Sequence, residues 1–321
     1  MPPPTIVVTR RWPAPVEAEL IRRYPGVRLN ASDRPMGADG LRTALREAEI
    51  VLPTVCDSLH GELFEGPVRT RFLGNFGVGY NHIDLGAAAK HGIVVTNTPG
   101  VLTDTTADTA MTLLLMIARR AGEGEREVRE GRWDGWRPTH MMGADVSGKT
   151  IGIIGMGRIG KAVARRAHFG FGMPVVFYDT GHVADHGIPG ARQLASIDEV
   201  LAGSDFVSLH MPGGERNRHA IDRERLALMK PTAFLVNSAR GDIVDEDALA
   251  TALREGIIAG AALDVYSREP YVAAALRELS NVVLLPHLGS ATLETRTAMG
   301  MLVLENLQAY LDGREPPCRV A

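Results

Sequence analysis

The stretch that most constrains this chain is Thr150–Gly160, in which the β-branched run Ile151–Ile154 stops at Gly155. Gly155, Gly157 and Gly160 then spell G-x-G-x-x-G, and an apolar, Ala-rich helical pattern follows through Lys161–His168. Strand, glycine turn and helix in that order form the context in which the motif marks a dinucleotide site. The first glycine permits the tight turn, the second lets backbone approach a pyrophosphate, and the third lets helix and strand pack closely. N–H groups at the helix start then face the phosphates, helped by the helix dipole.

Of the 321 residues, 45% are hydrophobic and 23% charged, ordinary for a globular protein of two domains. A net charge of −3 leaves no electrostatic footprint for nucleic acid or an anionic membrane. The Met-Pro-Pro-Pro-Thr start lacks the basic-then-apolar pattern of a signal peptide. The longest apolar runs, such as Met111–Ala118, fall well short of the ~20 residues of a membrane span. Two cysteines far apart, Cys56 and Cys318, fit a reduced, cytoplasmic protein. No Cys/His cluster has metal-ligand spacing, so no metal is expected.

Strands are predicted at 6–10, 27–30, 49–54, 72–76 and 93–97, with helices near 16–23, 41–48 and 84–91. This alternation argues for a parallel sheet covered by helices. After Thr98-Pro99-Gly100 a long helix is expected, with Thr103 as its N-cap and Ala107, Ala110, Met111, Leu114, Leu115 and Ala118 as its apolar stripe. A polar, Gly-rich stretch at 122–148 holding Trp133 and Trp136 reads as a long functional or interfacial loop. From Lys149 a second α/β series runs to 285, its strands ending in polar residues: Asp179, His210, Asn237-Ser238, Asp264 and His287. Ligands of open parallel sheets bind at such strand ends. The last helix, 293–311, is expected to return to the first unit.

Asp179 ends the strand after the glycine loop, near the ~20-residue offset at which an acidic residue meets the ribose 2′-OH and repels a 2′-phosphate. No Arg or Lys follows directly in Thr180-Gly181-His182, so NAD(H) is preferred, with NADP(H) possible. A strand-end aspartate capping a turn is the plainer reading.

Arg240 lies in Val-Asn-Ser-Ala-Arg-Gly-Asp-Ile-Val-Asp, Glu269 in Tyr-Ser-Arg-Glu-Pro, and His287 in Leu-Pro-His-Leu-Gly-Ser-Ala-Thr. Singly, each also reads as structural: a surface ion pair, a turn residue, a buried histidine. Together, and with Gly77-Val-Gly-Tyr-Asn-His-Ile-Asp84, they make the chain resemble the D-isomer-specific 2-hydroxyacid dehydrogenase family over nearly its whole length. The resemblance implies two Rossmann-like, doubly wound parallel-sheet domains with an active-site cleft between them. Residues 1–98 plus 287–321 would form the substrate-binding domain. Residues 99–286 would form the NAD-binding domain, with a dimerisation helix and loop at 103–148.

By this resemblance Arg240 binds the carboxylate of a small 2-oxo acid and polarises its carbonyl. His287 donates the proton, and Glu269 fixes its tautomer. Backbone groups of Val78 and Gly79 hold the carboxylate, and Asn81 reaches the substrate, whereas His82 reads as structural. Thr106, Arg158, Ile159, His210, Met211, Pro212, Ser238, Ala239, Asp264, Gly289 and Ser290 join the glycines, Asp179, Arg240 and His287 around the cofactor. Asp264 is expected at the nicotinamide carboxamide, although it and His210 also read as strand-end caps.

Glu269 argues against a formate dehydrogenase, whose family has glutamine there, and with the sequence ending at Ala321 the regulatory extension of many phosphoglycerate dehydrogenases is not expected. The segments around Trp136 and His287 are most similar to the glyoxylate/hydroxypyruvate reductase subgroup. In that subgroup an aromatic near Trp136 reaches a neighbouring subunit, so a homodimer is expected. The alternatives are a broader 2-oxo acid reductase for aryl or sugar-derived acids, a phosphite-type dehydrogenase, and a nucleotide-sensing scaffold like the family's corepressors.

Overall fold

The computed structural model describes residues 3–321. The chain forms two compact units, one running to Leu102 and resuming at Ser290–Ala321, the other Thr103–Gly289.

The first unit begins with β1 (Ile6–Val8), α1 (Ala14–Arg23), α2 (Gly37–Glu47), β2 (Ile50–Leu52), β3 (Phe72–Gly74), α3 (Leu85–Lys90) and β4 (Val94–Thr96). The strands form a parallel sheet in the order β1-β2-β3-β4, with Ile6 beside Ile50, Ile50 beside Phe72 and Phe72 beside Val94. Strands covered on both faces are apolar throughout rather than alternating, and β1, β2 and β3 are buried end to end. The predicted strand at 27–30 is reduced to a single bridge between Val7 and Arg28. Pro25-Gly26 turns the chain there, and Asn30 donates its side-chain amide to the Thr9 and Arg34 carbonyls instead of extending a ladder.

The second unit holds α4 (Thr103–Ala118), α5 (Ala121–Arg129), β5 (Ile151–Ile154), α6 (Arg158–Phe171), β6 (Val175–Tyr178), β7 (Arg192–Gln193), α7 (Ile197–Gly203), β8 (Phe206–Leu209), α8 (Arg223–Leu226), β9 (Phe234–Asn237), α9 (Glu246–Arg254), β10 (Gly260–Leu263), α10 (Ala274–Arg277) and β11 (Val282–Leu284). Its parallel sheet runs β7-β6-β5-β8-β9-β10-β11. The strand order reverses between β5 and β8, which makes a crevice at their carboxyl ends. Thr103 is the first residue of α4 rather than its cap. This helix packs on α6 and on β9–β11, so Leu113 and Ile117 are buried beyond the predicted stripe and Leu115 only partly.

Part of the predicted loop at 122–148 is helical. α5 buries no residue, and ion pairs from Arg120 to Glu123 and from Arg129 to Glu125, three and four residues apart, support it instead. Gly122 and Gly124 obscure that helix in the sequence, since glycine is a poor helix former.

The chain leaves this unit at Gly289 and enters α11 (Leu293–Leu311). Val303, Leu304 and Leu307 of α11 are fully buried in one cluster with Ile6, Val8, Leu20, Ile50 and Phe72 of the first unit. Residues 318–320 then run beside β4, with Asn97 donating to the Cys318 carbonyl and Val320 to that of Val95.

Candidate active site

Sterics shape the glycine loop after β5. Gly155 has φ +98, and a Cβ there would stand 2.7 Å from the His210 carbonyl carbon and 2.8 Å from the Met211 nitrogen. The loop therefore lies directly on the backbone that leaves β8, at the switch point. A Cβ on Gly160 would meet the Gly155 oxygen at 2.1 Å, whereas around Gly157 there is open space. Gly157 caps α6 with no side-chain bond of its own, leaving the first-turn N–H groups at Arg158 and Ile159 for a ligand. These features fit a dinucleotide.

Asp179 adds a fixed charge to that cradle, its Oδ2 accepting from Met156 N at 2.8 Å and its Oδ1 from Gly181 N at 3.3 Å. On the other side of Gly155, His210 meets Ser208 Oγ at 2.9 Å, and burial pushes its pKa down to about 4, keeping it neutral. Ser238, where β9 ends, carries a buried hydroxyl with no partner among the described residues. A ligand group at that strand end would satisfy it.

Three loops of the same unit bring Arg240, Glu269 and His287 together. Asn237 closes the first by donating to the Arg240 carbonyl (2.8 Å) and accepting from Ala239 N (3.0 Å). A Cβ on Gly241 would lie 1.9 Å from the Tyr266 carbonyl carbon, so only glycine lets this loop rest on the second. Glu269 then reaches back. Its Oε1 accepts from Tyr266 N at 3.0 Å and its Oε2 meets His287 Nδ1 at 2.8 Å. Burial pulls the Glu269 carboxyl upward. The His287 hydrogen bond and charge, the Tyr266 N–H and the Arg240 charge outweigh it, so its pKa falls below the ordinary carboxylate value. Burial lowers the pKa of Arg240, with Glu269 and Asp242 opposing it; an arginine remains charged under such a shift.

His287 sits at φ +55, a left-handed conformation uncommon for a residue with a side chain. Asp264 holds it there. Fully buried at the end of β10, it accepts from Leu288 N at 2.6 Å through Oδ1 and from Gly289 N at 2.8 Å through Oδ2. Tyr266 adds a bond from its hydroxyl to the Leu285 carbonyl. Asp264 is also the residue expected at a nicotinamide carboxamide; each of its oxygens takes one N–H of the histidine loop and keeps a further lone pair. The same tie moves the unit boundary to after Gly289, so His287 belongs to the nucleotide-loop unit rather than to the unit containing α11. A Cβ on Gly289 would lie 3.5 Å from Thr106 Cγ2, which places Thr106 beside the loop. Ser290 falls in the first unit, and Trp136 stands 81% exposed.

In the first unit, Val78 and Gly79 lie in the loop after β3. Three residues absent from the predicted site shape the loops: Asn75 and Asn97 here, and Asn237 at Arg240. Each is a buried asparagine at or just beyond a strand end, and that pattern is their only signal in the sequence.

Residues 111–289 match the family model described as the D-isomer specific 2-hydroxyacid dehydrogenase, NAD binding domain. A nucleotide loop at the switch point and a His–Glu pair beside a half-buried arginine agree with that class of oxidoreductase. The chain belongs to the D-isomer specific 2-hydroxyacid dehydrogenase family. It is 43% identical over 321 residues to the glyoxylate reductase of Thermococcus kodakarensis, covering 99% of this chain and 96% of that protein. It is 44% identical over 316 residues to that of Korarchaeum cryptofilum, covering 98% and 95%. Among solved structures, the NADPH-dependent glyoxylate/hydroxypyruvate reductase from Sinorhizobium meliloti, in complex with NADP and malonate, superposes with a TM-score of 0.87 at 34% identity, covering 99% of this chain and 97% of that one. No helix among the described residues is long and apolar enough to cross a membrane.

Proposed function

We propose that this enzyme reduces small 2-oxo acids to D-2-hydroxy acids with NADH, glyoxylate to glycolate and hydroxypyruvate to D-glycerate foremost. The observation that carries the reading is the 2.8 Å contact between His287 Nδ1 and Glu269, with the half-buried Arg240 close enough for its charge to act on Glu269. With an ionised Glu269 accepting, Nδ1 keeps its proton. Nε2, which has no partner among the described residues, is then the nitrogen left to serve the substrate. Arg240 pairs with the carboxylate and draws electron density from the carbonyl. As the carbonyl carbon gains a hydride, its oxygen takes the Nε2 proton, leaving neutral His287.

The cofactor, when bound, supplies that hydride. Gly155, Gly157, Gly160, Arg158 and Ile159 would hold its pyrophosphate, and Asp179 its ribose diol, while His210, Met211 and Pro212 flank the adenosine. Ser238, Ala239, Thr106, Gly289 and Ser290 would lie toward the nicotinamide. The fixed charge on Asp179 supports NADH over NADPH, although a relative is named NADPH-dependent. The N–H groups of Val78 and Gly79 would receive the carboxylate, with Asn81 beside them. The names of the curated relatives support glyoxylate as substrate.

A homodimer is part of the proposal. The segment after α5 holds Trp133 and Trp136 exposed by 53% and 81%, and a second copy would cover them. Light scattering tests this; a monomer would refute it. A steady-state panel of 2-oxo acids, each with NADH and NADPH, tests the function. The expected result is the highest kcat/KM for glyoxylate or hydroxypyruvate with NADH. Faster turnover of bulky aryl acids, or no turnover, would overturn it.

A further inference from the structure

The loop after β3 is held by side-chain amides. Asn75, fully buried, donates its Nδ2 to the Gly77 and Gly79 carbonyls, both at 3.0 Å. Asn97 donates to the Val78 carbonyl between them at 2.8 Å. The Asn75 Oδ1 meets His82 Nε2 at 3.1 Å. An oxygen cannot donate, so His82 is the donor, and that fixes which face of the Asn75 amide presents its N–H groups. A Cβ on Gly77 would fall 2.6 Å from Val55 Cγ1, so the loop's first residue is fixed as well.

In a trans peptide the C=O of one residue and the N–H of the next point in opposite directions, and the peptides of this loop are trans. Drawing three successive carbonyls onto Asn75 and Asn97 therefore turns the N–H groups of Val78, Gly79 and Tyr80 the other way. None of the three has an acceptor among the described residues. We propose that Asn75 is a positioning residue for substrate: with Asn97 it converts the 77–80 loop into a three-donor cradle for the substrate carboxylate. This rests on the reading of the enzyme as a 2-oxo acid reductase and goes beyond it by assigning a role to a side chain that does not itself touch the substrate. Successive N–H groups left without an acceptor can bind an anion without any charged side chain.

The test uses the intact enzyme with NADH and oxamate, an unreactive carboxylate the size of a small 2-oxo acid. Oxamate should slow amide hydrogen exchange at Val78, Gly79 and Tyr80; unchanged exchange at all three overturns the proposal, whatever the variants do. Asn75→Asp and Asn75→Ser should raise KM for glyoxylate, and Ki for oxamate in parallel, by about 10-fold or more. kcat should change less than KM, and NADH affinity should hold. Asn97→Ser, which releases one carbonyl rather than two, should give a smaller rise. A folded Asn75 variant with unchanged KM would overturn the proposal while the reductase reading stands. A wild-type enzyme that turns over no 2-oxo acid would instead overturn the reading.

Discussion

The glycine loop after β5 and the loop after β3 both present backbone N–H groups, but they are held by different forces. At Gly155 and Gly160 the constraint is contact, since added Cβ atoms would stand 2.7 and 2.1 Å from backbone. At Gly77–Tyr80 it is chiefly hydrogen bonding, from two amides that can be weakened one bond at a time. Steric constraints fail abruptly, because packed backbone has no room to relax. Hydrogen-bonded constraints fail by degrees. The nucleotide cradle should therefore respond to mutation as a switch and the substrate cradle as a dial.

The largest expected effect breaks the switch. Gly155→Ala combines a φ of +98 with overpacking against His210, a cost of about 2–5 kcal/mol. Thermal unfolding should show it, with NADH binding lost. Gly157→Ala, in open space, should keep the melting temperature and lose only NADH affinity. An equal loss of stability would erase the distinction. His287→Ala comes next and separates chemistry from both cradles. It should lower kcat by about 10²–10⁴-fold with NADH titrating as before, and a sensor scaffold would show no such loss.

Asp179→Ala should move the NADH-to-NADPH preference by about 10-fold, read as the ratio of kcat/KM values; no change would remove Asp179 from the cradle. Glu269→Gln is the smallest, costing about 1 kcal/mol of stability at neutral pH. Because the folded pKa of Glu269 is depressed, its contribution is complete above the unfolded carboxyl value of about 4.3. It fades as pH falls through the lower folded value. Melting curves of wild type and variant should converge in acid, and a constant gap would refute the assignment.

These differences explain what could be read in advance. The strand–glycine–helix unit was legible because its constraint spans six consecutive residues. The apolar strands of both sheets were legible because burial on both faces demands unbroken hydrophobic runs. Arg240, Glu269 and His287 were legible through resemblance, since nothing local says that Glu269 reaches His287. Asn75 and Asn97 were not read as part of the site, because their cooperation depends on neighbouring strands in the sheet. That Asp264 also holds the histidine loop was not legible, because its two backbone partners are 24 and 25 residues away. At 27–30 the composition favoured a strand, but turn chemistry prevailed.

The return of α11 to the first sheet has a consequence for the order of events during synthesis. The second unit is one continuous segment and can close once Gly289 has emerged from the ribosome. The first unit cannot, because the apolar face formed by Ile6, Val8, Ile50 and Phe72 is completed by Val303, Leu304 and Leu307. At about 5–20 residues per second, the first 102 residues wait on the order of 10–40 s for the helix that covers them. The unit begun first is thus finished last, and a chain cut short after residue 289 leaves that sheet bare.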